Sequence, residues 1–231
     1  MKKIDLTIVM PVYNEEEIIT KVLEDWLKIT DKIKSIIIVI DDGSKDNTLK
    51  ILKKFKSQRI KVLSQNNSGH GPAILNGYKK AIQLKSNYIF QVDTDNQFYT
   101  SDFKKFWNLK KNYDFIIGFR KIRYDDKLRL LIKKLLRIFL FIIFNVKIKD
   151  SNIPYRLMKK NFLLYALKNF NLKTNIPNIF LSIIASKKFK NHTITVKHKK
   201  RMTGKVWIVN LKLLKFCIIS FINLLMLRFK I

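Results

Sequence analysis

The strongest constraint on the fold lies in the first 118 residues. Short β-branched runs alternate there with helical patterns, and several runs stop at a cluster of polar residues. Such alternation is the pattern of βαβ units carrying a mainly parallel sheet. Leu6–Val12 reads as a first strand, after which Asn14 and Glu17 form a capping-box signal opening a helix through about Lys28. Residues 35–40 are apolar almost throughout, as expected of a strand covered on both faces. A helix over 46–56, a strand over 59–64, a glycine-containing loop over 66–72 and a helix to about Lys85 follow. Tyr88–Val92, a helix near 101–111 and a strand at 114–119 complete this half.

The remainder differs in charge. Residues 1–118 hold 20 basic and 14 acidic side chains, whereas residues 119–231 hold 27 basic and only three acidic ones, Asp125, Asp126 and Asp150. A net charge of +30 points to nucleic acid or an anionic membrane surface. Here the cations interleave with long aliphatic runs and no RNA-recognition or helix-turn-helix signature stands out, so the expectation is a membrane surface and no nucleic acid. Residues 127–146 begin basic and amphipathic and end apolar, 155–168 and 178–188 look helical, 192–197 looks like a strand, and 206–228 is a long helical pattern. No run reaches the ~20 apolar residues of a spanning helix, and Lys212 and Lys215 interrupt the last segment. The expected arrangement is therefore a peripheral or interfacial protein at the cytoplasmic face of a membrane, with residues 206–231 lying in the interface. The first residues read as a strand rather than a secretory leader. Cys217 alone forms no internal disulfide, and at 47% hydrophobic residues the chain can bury a core.

In an open parallel sheet, ligands bind beyond the carboxyl ends of the strands. Three strands here end in polar groups: Pro11-Val12-Tyr13-Asn14-Glu15, Asp41-Asp42-Gly43-Ser44 and Asp93-Thr94-Asp95-Asn96-Gln97. Carboxylates grouped at strand ends repel one another unless a cation or hydrogen-bonding ligand lies between them. Asp93, Asp95 and the Gln97 amide oxygen are hard donors suited to Mg²⁺ or Mn²⁺ shared with a pyrophosphate. Gly69-His70-Gly71 is not a Walker loop, and His70 reads as a loop residue rather than a base.

With these landmarks in order, the chain resembles the family 2 glycosyltransferases of GT-A fold, and most closely their dolichyl- or polyprenyl-phosphate mannosyltransferase-like branch. Residues 67–77 resemble that family's glycine loop, Gly118-Phe119-Arg120 its Gly-Ser-Arg, Asp150 to Arg156 its later Asp…Arg element, and Arg201-Met202-Thr203-Gly204-Lys205 its Arg-x-x-Gly segment. The resemblance implies an α/β, Rossmann-like sheet flanked by helices, with a glycosyltransferase domain over 1–205 (nucleotide-binding half 1–118, acceptor-side half 119–205). It further implies that Pro11, Tyr13 and Glu15 line the nucleotide pocket and Asp41 reads the base edge. Asp93, Thr94 and Asp95 would hold the sugar nucleotide, Asp95 and Gln97 (with Asp93) the metal, and Arg201 the donor diphosphate. Arg120, with Arg123 or Arg129, would face an anionic acceptor. Phe119 replaces the usual small residue, Ser68 shifts the glycine loop, and Asn178 stands where many relatives carry an acid.

The implied activity is metal-dependent, inverting transfer of a sugar from a nucleoside-diphosphate sugar to a polyprenyl phosphate in cell-envelope glycan synthesis. The alternative acceptor is a sugar hydroxyl of a surface glycan, glycolipid or lipid-linked oligosaccharide. A phosphate acceptor is already anionic, whereas a hydroxyl needs a base. Asp150 is the candidate for that base, and an ion pair with Arg156 is its structural alternative. A sugar-phosphate nucleotidyltransferase would carry a glycine-rich basic loop near the N-terminus, which Pro11–Glu15 does not provide.

Overall fold

The computed structural model describes residues 4–121, 127–169, 174–200 and 211–229. Seven strands form one sheet: β1 (Leu6–Val12), β2 (Ser35–Asp41), β3 (Ile60–Ser64), β4 (Tyr88–Val92), β5 (Phe115–Arg120), β6 (Tyr155–Lys159) and β7 (Asn191–Val196). Their order across the sheet is β3-β2-β1-β4-β6-β5-β7. Pairing is parallel throughout except at β6, which runs against both β4 and β5. Six strands therefore end at the same edge, and the β4–β6 register, Val92 opposite Tyr155, brings the start of β6 there too.

Among the described residues, eight α-helices accompany the sheet: α1 (Ile19–Ile29), α2 (Thr48–Lys54), α3 (His70–Gln83), α4 (Phe103–Leu109), α5 (Lys127–Phe144), α6 (Lys160–Asn169), α7 (Pro177–Lys188) and α8 (Leu211–Arg228). β1 and β2 carry the continuous burial expected of central strands covered on both faces: six of seven β2 residues and all seven of β1 are buried. An aromatic cluster fills one layer, where Phe90 of β4 meets Trp26, Phe103, Phe106 and Tyr155 with ring centroids 4.8–5.9 Å apart. Such offset and edge-on pairs add about 0.5–1.5 kcal/mol each beyond their buried area.

Two expectations change. Residues 155–168 are not one helix, because 155–159 form β6 and only Lys160 onward is helical. A short apolar run suits either state, and here pairing with both β4 and β5 decides it. Asn14 does not cap α1, which begins at Ile19. Asn14 has a left-handed backbone, φ 52°, and its side-chain oxygen instead accepts from the Lys45 amide at 2.7 Å. A local cap is thereby exchanged for a bond between two loops at the functional edge.

Candidate active site at the strand ends

The loops after β1 and β2 form one hydrogen-bonded unit. The amides of Asn14, Glu15 and Glu16 donate to Ser44 Oγ, Thr48 Oγ1 and Asp46 Oδ2 at 3.0, 2.9 and 3.2 Å, and Glu16 Oε2 accepts from the Asn47 amide at 2.9 Å. Glu15 is buried, Pro11 lies in β1, and Tyr13 is half-buried on the same loop. Polar residues thus join two loops belonging to adjacent strands.

Asp41 and Asp42 are both buried but differ in how they are held. Asp42 accepts three bonds of 2.8–2.9 Å, from Gln65 Nε2 and the amides of Ser68 and Gly69, and so fixes the loop leading into α3. Asp41 accepts two longer bonds, from the Ser44 amide at 3.3 Å and Ser64 Oγ at 3.2 Å. These lie beyond the usual 2.9–3.0 Å mode, so a better donor can replace them. Asp41 has no exposed surface, in contrast to an open base-reading carboxylate. With one bond on each oxygen, the carboxylate keeps acceptor capacity for a further donor. Gly43 allows the loops to approach: its φ is +70°, and a Cβ there would lie 2.9 Å from the Asn67 nitrogen.

At the end of β4, Thr94 Oγ1 donates to the Pro11 carbonyl at 3.1 Å, tying this loop to β1. Asp95 Oδ1 accepts from the Gln97 amide at 3.1 Å. Asp93 Oδ1 lies 2.9 Å from His70 Nε2. His70 is therefore not a bystander in a loop; it opens α3 and pairs with the first carboxylate of the Asp-x-Asp segment. Surrounding protein opposes protonation of the imidazole, but the Asp93 carboxylate and its hydrogen bond outweigh that and raise the pKa above the ordinary histidine value.

A second partner of this loop was also hidden in the sequence. The Lys199 amide donates to the Gln97 carbonyl at 2.8 Å, Gln97 Nε2 donates to the Lys199 carbonyl at 3.2 Å, and Lys199 Nζ reaches Asn96 Oδ1 at 3.2 Å. Buried Asp102 accepts from the Lys197 amide at 2.8 Å, so the segment after β7 is clamped across residues 96–98. No signal short of the sheet order could have placed Lys199 beside Gln97.

On the other side of β4, Arg120 and Asp150 form a bidentate pair, Nε–Oδ2 2.8 Å and Nη2–Oδ1 3.1 Å, with both side chains nearly buried. The structural partner of Asp150 is thus Arg120 rather than Arg156. Arg156 has no exposed surface and donates to the carbonyls of Ile153, Asn178 and Ser151. Its burial lowers the guanidinium pKa to about 10. The expected acceptor residue Arg129 belongs to α5, while Arg123 and Arg201 lie outside the described residues, as does the boundary placed at residue 205.

The edge therefore collects Glu15, Asp41, Asp93, Thr94, Asp95 and Gln97 on the neighbouring strands β2, β1 and β4, with Arg120 and Asp150 beyond them. Residues 7–183 match the family model described as Glycosyl transferase family 2. The chain belongs to glycosyl transferase family 2. Within it, the chain is 28% identical over 130 residues to a UDP-N-acetylglucosamine–dolichyl-phosphate N-acetylglucosaminyltransferase of Methanococcus voltae, covering 49% of this chain and 51% of that one. It is 26% identical over 209 residues to an undecaprenyl-phosphate 4-deoxy-4-formamido-L-arabinose transferase of Shewanella sediminis, covering 87% and 60%. A glucosyl-3-phosphoglycerate synthase from Mycobacterium tuberculosis, solved with Mn²⁺, UDP and phosphoglyceric acid, superposes with a TM-score of 0.67 at 15% identity, covering 97% of this chain and 78% of that one. The seven-stranded α/β sheet has the GT-A fold, as these structural neighbours do. The chain spans 51% and 60% of the two sequence relatives' lengths.

Proposed function

We propose that the chain transfers a sugar from a nucleoside-diphosphate sugar to a polyprenyl phosphate at a membrane surface. The observation that carries this reading is the convergence of the β2, β1 and β4 ends, which sets Asp41, Glu15 and residues 93–97 along one crevice. Asp41 serves the nucleobase end, where an imino N–H would exchange for the Ser64 hydroxyl. Pro11, Tyr13 and Glu15 form the adjoining wall.

The donor set suits a divalent ion. Among the described residues no three His, Cys, Asp or Glu side chains gather into a metal cage. Mg²⁺ binds through one or two carboxylates plus substrate phosphates and water, so a full protein cage is not required. Asp95 and the Gln97 amide oxygen would hold it, with Asp93 beside them, and the bound ion would neutralise charge on the leaving diphosphate. Arg201 follows two residues after the clamped Lys199 in the sequence and is the proposed cationic contact of that diphosphate. Its charge matters most as the sugar–phosphate bond breaks and negative charge builds on the leaving group.

A phosphate acceptor also agrees with the state of Asp150. Both its oxygens are already occupied by Arg120, so neither stands ready as a proton acceptor. An anionic acceptor oxygen needs none. Arg120, Arg123 and Arg129 supply the proposed cationic setting for it. The names of the Methanococcus and Shewanella relatives, both carrying a polyisoprenoid phosphate, support the same acceptor class.

Membrane contact is assigned to α5 and α8. The two helices touch through Phe139 and Phe221, and Arg228 Nε donates to the Ile143 carbonyl at 3.0 Å. Leu131, Leu135, Ile138 and Ile142 form an exposed stripe on α5, and Ile218, Ile222 and Met226 form another on α8. Among the described residues no helix is long and apolar enough to cross a membrane. The test is transfer of labelled sugar from a panel of sugar nucleotides, with Mn²⁺ and undecaprenyl phosphate in anionic vesicles. Label appearing in the lipid phase supports the proposal, whereas label transferred only to soluble glycans overturns the acceptor class.

A further inference from the structure

We infer that His70 and Asp93 form a hydroxyl-binding pair for the donor sugar, making His70 the residue that separates the affinity for a sugar nucleotide from that for the bare nucleotide. The inference rests on the crevice being a nucleotide-sugar site and adds a residue whose sequence context gave it no such role.

His70 is fixed from two sides. Asp42 draws in the amides of Ser68 and Gly69 just before it. Just after it, Gly71 meets the backbone of Asn175 so closely that a Cβ would lie 2.7 Å from three of its atoms. The imidazole is thus delivered by a helix start that has little freedom to shift. It reaches Asp93 across the sheet edge, at 2.9 Å. Between Asp93 and Asp41 lies the end of β1. A donor whose base sits at Asp41 and whose diphosphate crosses the β1 end therefore brings its sugar toward β4, where the pair stands.

The chemistry favours the sugar over the diphosphate. The side chain of His70 is 49% exposed and that of Asp93 21%, and each keeps a second polar atom, Nδ1 and Oδ2, that takes no hydrogen bond within the described residues. Hydroxyls both donate and accept, so a polyol satisfies a ring nitrogen and a carboxylate oxygen side by side. A diphosphate offers only acceptors, so it cannot donate to the remaining Asp93 oxygen. Asp93 Oδ1 is bonded to His70, whereas Asp95 Oδ1 accepts from the Gln97 amide within its own loop.

Calorimetry on the full chain with Mn²⁺ tests this, using UDP, UDP-glucose, UDP-N-acetylglucosamine, GDP and GDP-mannose as probes. In His70→Ala, the Kd of the sugar nucleotide that binds the wild type should rise about tenfold to a hundredfold, while that of its nucleoside diphosphate stays within about twofold. His70→Gln, which retains hydrogen-bonding atoms, should recover part of the loss. Adding Asp93→Asn to His70→Ala should weaken the sugar nucleotide by less than the two single losses multiplied. Thermal melting of His70→Ala should match the wild type, because the ring is half exposed. Equal weakening of nucleotide and sugar nucleotide, or no weakening of either, overturns the role of His70 and leaves the nucleotide site standing. A wild type that binds none of the five overturns the reading of the crevice and this inference with it.

Discussion

The strand-end crevice and the outer face of α5 and α8 place opposite kinds of side chain where the molecule meets its surroundings. In the crevice, carboxylates and amides are drawn in and held: Asp42 is buried and accepts three hydrogen bonds, Thr94 is tied to β1, and Gln97 is clamped by Lys199. On the helix pair, large apolar side chains are left outside, Ile142 at 70% and Ile218 at 53% exposure. The same helices bury Leu140, Phe144, Leu224 and Leu227 on their inner side. The inner side chains join the hydrophobic core, and the outer stripes do not. Contiguous exposed apolar surface of this kind marks an interaction site. Fixed polar groups suit a small charged ligand that must be held in register, and an exposed greasy face suits a fluid partner that has none.

Three variants sharpen that contrast, beginning with the largest effect. Asp95→Asn removes a carboxylate from the proposed ion site without changing shape, so transfer should fall at least ~10²-fold, as when one stabilising group of such a site is lost, with melting unchanged. Near-normal transfer by the folded variant would move the catalytic centre away from residues 93–97. Next, Asp41→Ala should weaken nucleoside-diphosphate binding by about 1.5–3 kcal/mol, the value of a hydrogen bond to a charged group, readable by calorimetry. An unchanged affinity would make Asp41 a loop brace for Ser44 and Ser64 only. Smallest in stability is Ile142→Glu combined with Ile222→Glu. Each is surface-exposed, so folding should change by no more than about 0.5 kcal/mol per site, yet sedimentation with anionic vesicles should drop sharply. Retained vesicle binding would locate membrane contact elsewhere.

The crevice was more legible in the sequence than the helix pair, and for a physical reason. A parallel strand buried on both faces must be nearly continuous in apolar residues, and it must stop where polar loops begin. Positions 6–12, 88–92 and the polar ends after them could therefore be read directly. β6 could not be read, because Tyr155–Lys159 is a strand only by virtue of two neighbours that are themselves distant in sequence. His70 and Lys199 escaped for the same reason: each acts through a partner 23 or 102 residues away, Asp93 and Gln97 respectively. Asn14 misled in the other direction, since a sound local cap signal was overridden by a bond to the Lys45 amide across the loops. The pairing of Arg120 rather than Arg156 with Asp150 follows from β6 lying between β4 and β5, an order the sequence pattern does not encode.

The central claim is that the β2–β1–β4 edge binds a nucleoside diphosphate together with a divalent ion. Titration of the full chain with UDP and GDP, with and without Mn²⁺, tests it most directly. Saturable binding of one of the two, strengthened at least ~tenfold by Mn²⁺ and with that gain lost in Asp95→Asn, is the predicted result. Absence of binding to either nucleotide in the presence of Mn²⁺, or binding that neither Mn²⁺ nor Asp95→Asn alters, would contradict it.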